Sequence, residues 1–280
     1  MKLIAAIFLV LLAGAIYLSQ LEPGNSGPWQ PQHSLTPEAK FEGRTLRVKN
    51  VRDFRYAGNG EILEKNYRSL AYDLNKLERM WFGLSHFGPS GLAHSFLSFE
   101  FSDGQNLALS VEARLTPEQN YSPVLGLFRQ YTKIYVLSTE SDVIGLRSHY
   151  RKEKVLLYPV IAKHKDEPEI ALRWLLEDAN EARLEPQFYN TVLDNCLTSL
   201  LQHSARFAEI SWHDARILLP GRTDRLTYAF GMTPDTVPFD QARAMATIHA
   251  DYTTAESADF SEVIRCGWHD LMPQHIAACP

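Results

Sequence analysis

HSFLSFEFSDGQNLALSVEARL, His94–Leu115, predicts a β-hairpin, because two runs of alternating apolar and polar residues flank the turn-forming sequence SDG. A two-residue turn at Asp103-Gly104 would set apolar side chains opposite small and polar ones across the two strands. A three-residue loop that ends at Gly104, which supplies a positive φ, instead places Phe99 opposite Leu107 and keeps the apolar side chains on one face. We therefore predict the three-residue loop.

The same register places His94 directly opposite Glu112. The Cβ atoms of directly opposed residues lie about 4.5–5.5 Å apart, so that an imidazole and a carboxylate at these positions can interact. Such a pair suits general-base catalysis, since the carboxylate orients the ring that accepts the proton. The alternative stays open that His94 is an ordinary core or surface histidine and that Glu112 is a solvated strand residue.

A nucleophile to match this pair is found in LDNCLTSLL, Leu193–Leu201. Asn195 is expected to cap the helix that follows, which puts Cys196 at the first helical position. Free backbone N–H groups and the positive end of the helix dipole favour an anion there, so we expect a lowered thiol pKa and an available thiolate. The same N–H groups can hold a developing oxyanion. Alternatively, Cys196 is a small buried hydrophobic residue of a core helix.

The remaining pattern predicts an α+β domain. Apolar and alternating runs indicate three further strands: residues 44–54, 133–138 and 154–161. Pro159 is expected to lie at a sheet edge or at the end of its strand. Thr139 is expected to begin a short helix, and residues 170–184 to form a longer one. Residues 62–84 carry Leu and Tyr at steps of three and four, which predicts an amphipathic helix.

The N-terminus predicts a membrane-directing segment, because a long apolar run follows Lys2 without interruption. Residues 1–21 are therefore expected to be a membrane anchor or a signal peptide, with Lys2 on the cytoplasmic side and the rest of the chain across the membrane. Residues 22–40, rich in Pro and Gly, are predicted to be an extended linker. The folded domain is then predicted to comprise residues 41–210. Residues 211–280 are predicted to form a helical and loop-rich extension of the same domain.

Composition limits the classes of partner. Hydrophobic residues make up 45% of the 280 residues, which is ample for a core. The net charge of −5 comes without a long acidic or basic block, so we predict no nucleic-acid partner. The motifs indicate no cofactor and no metal.

An exported chain meets oxidising conditions, which favour disulfide bonds between cysteines. Because the chain has three cysteines, one of them must stay outside an intramolecular disulfide. Cys266 and Cys279 lie close together near the C-terminus and are predicted to form a disulfide, which leaves Cys196 unpaired. A zinc site formed by these two cysteines with His269 and His275 is the alternative. We favour the disulfide, because the export signal favours oxidation and the spacing matches no common zinc module closely.

Four segments in order resemble one known family: GLAHSFLSFEFSDGQNLALSVEARL, YSPVLGLFRQYTKIYV, GLRSHYRKEKVLLYP and FYNTVLDNC. The resemblance is to the Lnb N-terminal periplasmic domain family and covers the chain from about Asn50 to Ser204. It implies an α+β, circularly permuted papain-like (NlpC-type) fold in which the histidine strand precedes the cysteine helix. The residues that it carries over as a catalytic triad are His94, Glu112 and Cys196. Supporting or substrate-binding roles are expected for Asn195 and Arg114.

The resemblance implies thiol-dependent acyl transfer in the bacterial cell envelope, of the lipoprotein N-acyltransferase type. Cys196 would attack an ester of a membrane lipid or lipoprotein, His94 would move the proton, and a thioester would pass the acyl group to an amine. The domain is then expected on the periplasmic side of the inner (cytoplasmic) membrane, held by its N-terminal anchor. Two alternatives stay open: a cysteine peptidase or amidase acting on cell-wall peptides, and a non-catalytic membrane-tethered binding module.

The sequence departs from the family at the cysteine. The usual Asn-Asn-Cys-Thr is replaced by Asp194, Asn195, Cys196 and Leu197. A carboxylate so close to a thiolate opposes the lowering of the thiol pKa unless the carboxylate caps backbone N–H groups. We therefore expect Asp194 either to cap the helix or to weaken the activation of Cys196.

Overall fold

A computed structural model describes residues 2–88, 91–204, 210, 214 and 220–280 of the chain. Within these residues a mixed eight-stranded sheet is accompanied by helices, so the predicted α+β class is confirmed. The strands are β1 (Glu38–Glu42), β2 (Thr45–Arg52), β3 (Arg55–Tyr56), β4 (Ile62–Glu64), β5 (Tyr67–Asp73), β6 (Leu77–His86), β7 (Ala93–Phe101), β8 (Asn106–Arg114), β9 (Thr132–Ser138) and β10 (Lys154–Pro159). The α-helices are α1 (Lys2–Ser19), α2 (Glu140–Gly145), α3 (Glu167–Leu184), α4 (Thr198–Leu201), α5 (Thr223–Ala229), α6 (Phe239–Ala246) and α7 (Phe260–Val263).

The main sheet follows the order β1-β2-β9-β8-β7-β6-β10, with β5 also paired to β2. β2 and β9 run parallel where Arg52 pairs with Ser138, whereas the other neighbouring strands in this sheet are antiparallel. β10 is the last strand of the order, which confirms the edge position expected from Pro159. α3 contacts β1, β6 and β9, so it packs on the sheet across several strands.

The hairpin of β7 and β8 has the predicted three-residue loop. Leu97 pairs with Leu109 and Phe99 with Leu107, and Gly104 has a φ of 83°. Several apolar side chains of the two strands are buried, because the chosen register keeps apolar residues opposite one another. The sequence alone was sufficient here because the turn chemistry and the apolar alternation agree.

The predicted helix over residues 62–84 is wrong. This stretch forms β4, β5, a 3-10 turn at Leu74–Lys76, and β6. β6 hydrogen-bonds to β7 on one side and to β10 on the other, and Trp81, Phe82 and Leu84 are buried. The steps of three and four arise from residues on separate strands, and pairing within the sheet overrides the helical pattern.

Residues 22–40 are not a free linker, so the predicted boundary near residue 41 is wrong as well. β1 begins at Glu38, His33 is buried, and the backbone N–H of Gln30 donates to the carbonyl of Leu115. The Gly24 N–H already donates to the Thr132 hydroxyl at 3.2 Å. Before β1 this Pro-rich segment forms a 3-10 turn at Pro31–His33, and several of its other backbone groups find hydrogen-bond partners on the domain instead of water.

The C-terminal part belongs to the same core, as predicted. Trp268 is fully buried and donates from its indole nitrogen to the carbonyl of Leu157 in β10. The boundary expected after residue 210 falls where most residues lie outside the described ranges. Cys266 and Cys279 form a disulfide with a Cα–Cα distance of 4.8 Å, as predicted, so their thiolates are not available for the alternative zinc site.

α1 is a helix of 18 residues with a mean hydropathy of 2.2 and no buried residue. At 1.5 Å per residue it is about 27 Å long, close to the thickness of a bilayer core. Its length and composition therefore allow it to cross a membrane. A signal sequence has the same properties, so both predicted roles remain predictions.

A buried ion pair fastens α2 to β2. The Arg52 guanidinium donates to both carboxylate oxygens of Asp142, at 2.8 and 2.9 Å, and both side chains are almost fully buried. The Phe54 N–H and the Tyr56 hydroxyl also donate to Asp142. The carboxylate is therefore paired and fully hydrogen-bonded, as a buried charge must be.

Arg52→Met is expected to lower the free energy of unfolding by about 3–5 kcal/mol, because it leaves the charge of Asp142 buried without a counter-ion. Arg47→Met is the matched control on the same strand, since Arg47 and its partner Glu42 are 59% and 40% exposed and water already screens them. Urea unfolding followed by circular dichroism measures both. Equal losses in the two variants would contradict the importance of the buried pair.

Candidate active site

One cavity of about 580 Å³ brings together the three residues predicted to be catalytic. His94 enters it from β7, Glu112 from β8, and Cys196 from the turn that leads into α4. These residues are far apart in the sequence, and the sheet and the turn place them in the same wall. Their catalytic role stays a prediction, whereas their convergence is a property of the structure.

Asn195 fixes the backbone around Cys196. Its side-chain oxygen accepts hydrogen bonds from the N–H groups of Leu197 and Thr198, at 2.8 and 3.1 Å. Its own N–H donates to the Thr198 hydroxyl, and its amide nitrogen donates to the carbonyl of Thr191. Asn195 therefore caps the turn that leads into α4. α4 itself begins at Thr198, so Cys196 lies two residues before the helix and not at the predicted first helical position.

The expectation of a lowered thiol pKa is wrong. Cys196 is only 4% exposed, and burial raises its pKa above the ordinary value. Hydrogen bonds to the sulfur from the Ser95 N–H and the Tyr189 hydroxyl, which favour a thiolate, offset this only in part. The helix dipole stabilises a thiolate only weakly, whereas the loss of water around the sulfur destabilises the thiolate more strongly. Cys196 is therefore a protonated thiol at rest.

Asp194 neither caps the helix nor faces the thiol. One carboxylate oxygen accepts from Lys133 Nζ at 2.8 Å, and the other accepts from the Ser199 hydroxyl at 2.7 Å. The Lys133 side chain is 5% exposed, so this ion pair neutralises Asp194 where water screens little. The departure from the family sequence is therefore accommodated by a lysine on β9.

Glu112 is the most connected group in the cavity. One oxygen lies 3.0 Å from His33 Nε2, and the other accepts from the Ser110 hydroxyl at 2.7 Å and from Arg147 Nη2 at 3.1 Å. Burial alone would raise the pKa of Glu112, but the hydrogen bond from His33 and the charge of Arg147 together hold that pKa well below its usual range. Glu112 is therefore ionised at neutral pH.

His94 faces Glu112, as the hairpin register predicted, with Nε2 at 3.7 Å from the nearer carboxylate oxygen. This distance is too long for a hydrogen bond, and the nitrogen has no other hydrogen-bond partner within the described residues. Burial, followed by the nearby charge of Arg147, lowers the pKa of His94 to about 3. His94 is therefore a neutral base at physiological pH, with one buried nitrogen unoccupied.

No sequence pattern predicts that His33 belongs to the site. Its Nδ1 accepts from the Leu115 N–H at 3.2 Å, so the proton of the neutral ring lies on Nε2 and is donated to Glu112. A single histidine in a Pro-rich segment, expected to be a linker, offers no periodicity or motif that would assign it to a site. Arg147 was also missed, although it lies in one of the family segments.

Arg114 does not line the cavity. Its guanidinium is buried and donates to the carbonyls of His33 and Ser34 and to the side chain of Asn25. It also lies over the ring of Trp29, 4.6 Å from its centroid. Arg114 thus holds the N-terminal segment, including His33, against the domain. The structure does not support the predicted direct role of Arg114 in substrate binding, because Arg114 does not reach the cavity.

The cavity wall is polar on one part and apolar on another. Its charged members include Arg147, Arg151 and Glu153. Its apolar and aromatic members include Leu115, Tyr121, Pro123 and Tyr189. Among the described residues, no group of three or more His, Cys, Asp or Glu side chains is arranged to hold a metal ion.

The fold and the cavity define an α+β domain in which a cysteine, a histidine and a glutamate from separate elements meet. A family model described as the Lnb N-terminal periplasmic domain matches residues 64–225, more than half of the chain. The chain therefore belongs to the Lnb N-terminal periplasmic domain family. No curated protein and no solved structure matches it. A periplasmic domain preceded by an apolar helix is consistent with a membrane-anchored periplasmic protein.

The alkylation of Cys196 by iodoacetamide should rise with pH around a pKa above the ordinary value of a cysteine thiol, since burial favours the protonated form. Glu112→Gln should lower that pKa and speed alkylation at pH 8, because it removes a negative charge that acts on the sulfur. Glu177→Gln is the matched carboxylate-to-amide control and should leave the rate unchanged, since Glu177 is exposed on α3 and does not line the cavity.

The rates are measured on the purified full chain by mass spectrometry without reductant, so that the disulfide stays closed. A thiol pKa below the ordinary value of a cysteine, or an effect of Glu177→Gln as large as that of Glu112→Gln, would contradict the raised pKa of Cys196.

Proposed function

We propose that the chain is a membrane-anchored periplasmic acyltransferase that uses Cys196 as its nucleophile and acts on a membrane lipid or lipoprotein. One observation carries the proposal: Cys196, His94 and Glu112, distant in the sequence, line a single cavity. These three residue types are those that nucleophilic thiol catalysis requires, and their order along the chain supports a permuted papain-like arrangement.

Cys196 and His94 are both neutral at rest. This favours a mechanism in which His94 accepts the thiol proton during the attack over one that starts from a thiolate–imidazolium pair. As Cys196 Sγ attacks an ester carbonyl, the thiol proton passes to neutral His94, and the ionised Glu112 stabilises the imidazolium that forms. The carbon–oxygen bond breaks, His94 returns the proton to the departing oxygen, and a thioester remains on Cys196. An amine then attacks the thioester, gives a proton to His94, and leaves with the acyl group while the sulfur is reprotonated.

The cavity wall supports an amphipathic substrate. Leu115, Tyr121 and Tyr189 offer an apolar surface to an acyl chain, and Arg147 and Arg151 offer charge to a polar or anionic group. An enclosing wall of this kind excludes water from part of the site, which favours transfer to an amine over hydrolysis. The membrane helix would bring the domain to a lipid substrate.

The charged part of the wall also favours a second candidate, a cysteine peptidase or amidase acting on cell-wall peptides. The same triad serves both reactions, because each begins with attack of the thiol on a carbonyl. A non-catalytic membrane-tethered binding module is the remaining alternative. It predicts that the function of the chain survives the loss of Cys196.

The proposal is tested with the full chain in liposomes and a synthetic lipopeptide that has a diacylglyceryl-modified N-terminal cysteine with a free amine. Tandem mass spectrometry measures the amide that forms on this amine. Cys196→Ala should abolish it, and His94→Gln should reduce the rate by about 10²–10⁴-fold, as expected for loss of a general base. His203→Gln is the matched control, since His203 pairs with Asp178 outside this cavity and should leave the rate unchanged.

Each other outcome selects a different function. Cleavage of cell-wall peptides without amide formation would favour the peptidase or amidase. Full function of Cys196→Ala in cells would exclude every reaction that depends on the thiol.

The pH dependence of kcat/KM should show no fall centred near pH 6.5. His94 must be neutral to accept the thiol proton, and with a pKa of about 3 it stays neutral down to strongly acidic conditions. The kcat/KM for an ester lipid as acyl donor, which reports acylation of Cys196, should therefore be of the same order at pH 5 as at pH 7. The acceptor amine protonates in this range and is left out of the assay. A tenfold loss between these values would contradict the assigned state of His94.

A further inference from the structure

An exposed apolar loop lies beside the Cys196 cavity. In PVLGLF, Pro123–Phe128, four side chains are largely exposed: Val124 at 62%, Leu125 at 47%, Leu127 at 43% and Phe128 at 46%. Single exposed apolar residues are common, but four within five positions form a patch that water solvates poorly. We call residues 123–128 the docking loop.

Backbone hydrogen bonds and contacts with Thr191 fix the conformation of the docking loop. A 3-10 turn spans Leu125–Leu127, and the Gly126 N–H donates to the carbonyl of Ser122 at 3.0 Å. Thr191 donates from its hydroxyl to the carbonyl of Pro123 and from its N–H to the carbonyl of Gly126. A side chain at position 126 would collide with the Thr191 hydroxyl, so glycine is required there. The backbone is thus fixed to the domain while the apolar side chains point into solvent.

The docking loop lies where α1 meets the domain. Arg129, the next residue, donates from Nη1 to the carbonyl of Leu18 in the last turn of α1, at 3.3 Å. Gly24 is already bonded to Thr132 at the start of β9. The chain from Ser19 to Gly24 can span at most about 17 Å, so this edge of the domain cannot move far from the end of α1.

We propose that the docking loop inserts into the surface of the bilayer that α1 crosses. Val124, Leu125, Leu127 and Phe128 would enter the boundary between headgroups and acyl chains, and Arg129 would contact lipid phosphates. Tyr121, Pro123 and Thr191 connect the loop to the cavity wall, so insertion sets the cavity at the level of the lipid headgroups. This inference goes beyond the proposed reaction and stands even if Cys196 proves inert.

The test measures membrane contact at single labelled positions in the full chain. Val124→Cys and Leu127→Cys are prepared in a Cys196→Ala background and labelled with a nitrobenzoxadiazole fluorophore. Leu63→Cys is the matched control, since Leu63 is 67% exposed on β4. The docking loop precedes the first residue of β9, Thr132. Ser138 at the other end of β9 pairs with Arg52, the last residue of β2. β3 follows Arg52 and pairs with β4, so Leu63 lies near the end of β9 that is remote from the docking loop. The proteins are reconstituted in vesicles of phosphatidylethanolamine and phosphatidylglycerol with and without lipids that carry a spin label near the headgroup.

Quenching by the spin-labelled lipids should be several-fold stronger at Val124 and Leu127 than at Leu63. Adding Leu125→Glu to the Val124 reporter should remove most of that quenching, while an unchanged melting temperature shows that the fold is intact. Equal quenching at all three positions, or none at the loop, would overturn the proposal. The proposal would also be overturned if the labels on the docking loop were shielded from spin-labelled lipid and the chain sedimented as a dimer. A second copy of this chain, and not the bilayer, would then cover the docking loop.

Discussion

The arrangement of the cavity depends on the interactions of the negative charge of Glu112, whose side chain is only 14% exposed. This charge draws His33 from the N-terminal segment, Arg147 from the turn after α2, and Ser110 from its own strand. A carboxylate with so little water around it is stable only when such partners surround it. The segment between α1 and β1 is therefore part of the candidate site, because it supplies one of those partners. This is also why Arg114, which fastens that segment, matters without lining the cavity.

Burial sets the protonation states of Cys196 and His94 more strongly than local helix geometry does. Cys196 lies in the capped turn that leads into α4, yet its pKa is raised, and His94 lies near a carboxylate, yet its pKa is lowered. In both cases removal of water disfavours the charged form, and the positive charge of Arg147 adds to the effect at His94. The resting site thus holds a neutral thiol and a neutral imidazole beside an ionised carboxylate. In the proposed reaction, charge separation would occur only when the thiol attacks, with Glu112 and Arg147 already in place.

Sequence reasoning succeeded where several local signals agreed and failed where tertiary contacts decided. The register of β7 and β8 followed from Gly104 and the apolar alternation, and the cap at Asn195 followed from residue type and position. Residues 62–84 were misassigned because the leucine spacing of separate strands imitates a helix, and nothing local reveals the pairing of β6 with β7 and β10. His33 could not be assigned at all, since its role depends on a carboxylate 79 positions away. The state of the thiol depends on burial, which the sequence around Cys196 does not specify.

The proposed mechanism requires Cys196 to carry the acyl group during the reaction. Intact-mass spectrometry of the full chain, stopped with acid shortly after mixing with an ester lipid, measures this directly. We expect a mass increase of one acyl chain that maps to Cys196 and disappears on treatment with neutral hydroxylamine, as a thioester does. His94→Gln should accumulate far less of this species. Amide formation on the lipopeptide with no acylated Cys196 at any time, under conditions that would preserve a thioester, would exclude Cys196 as the acyl carrier.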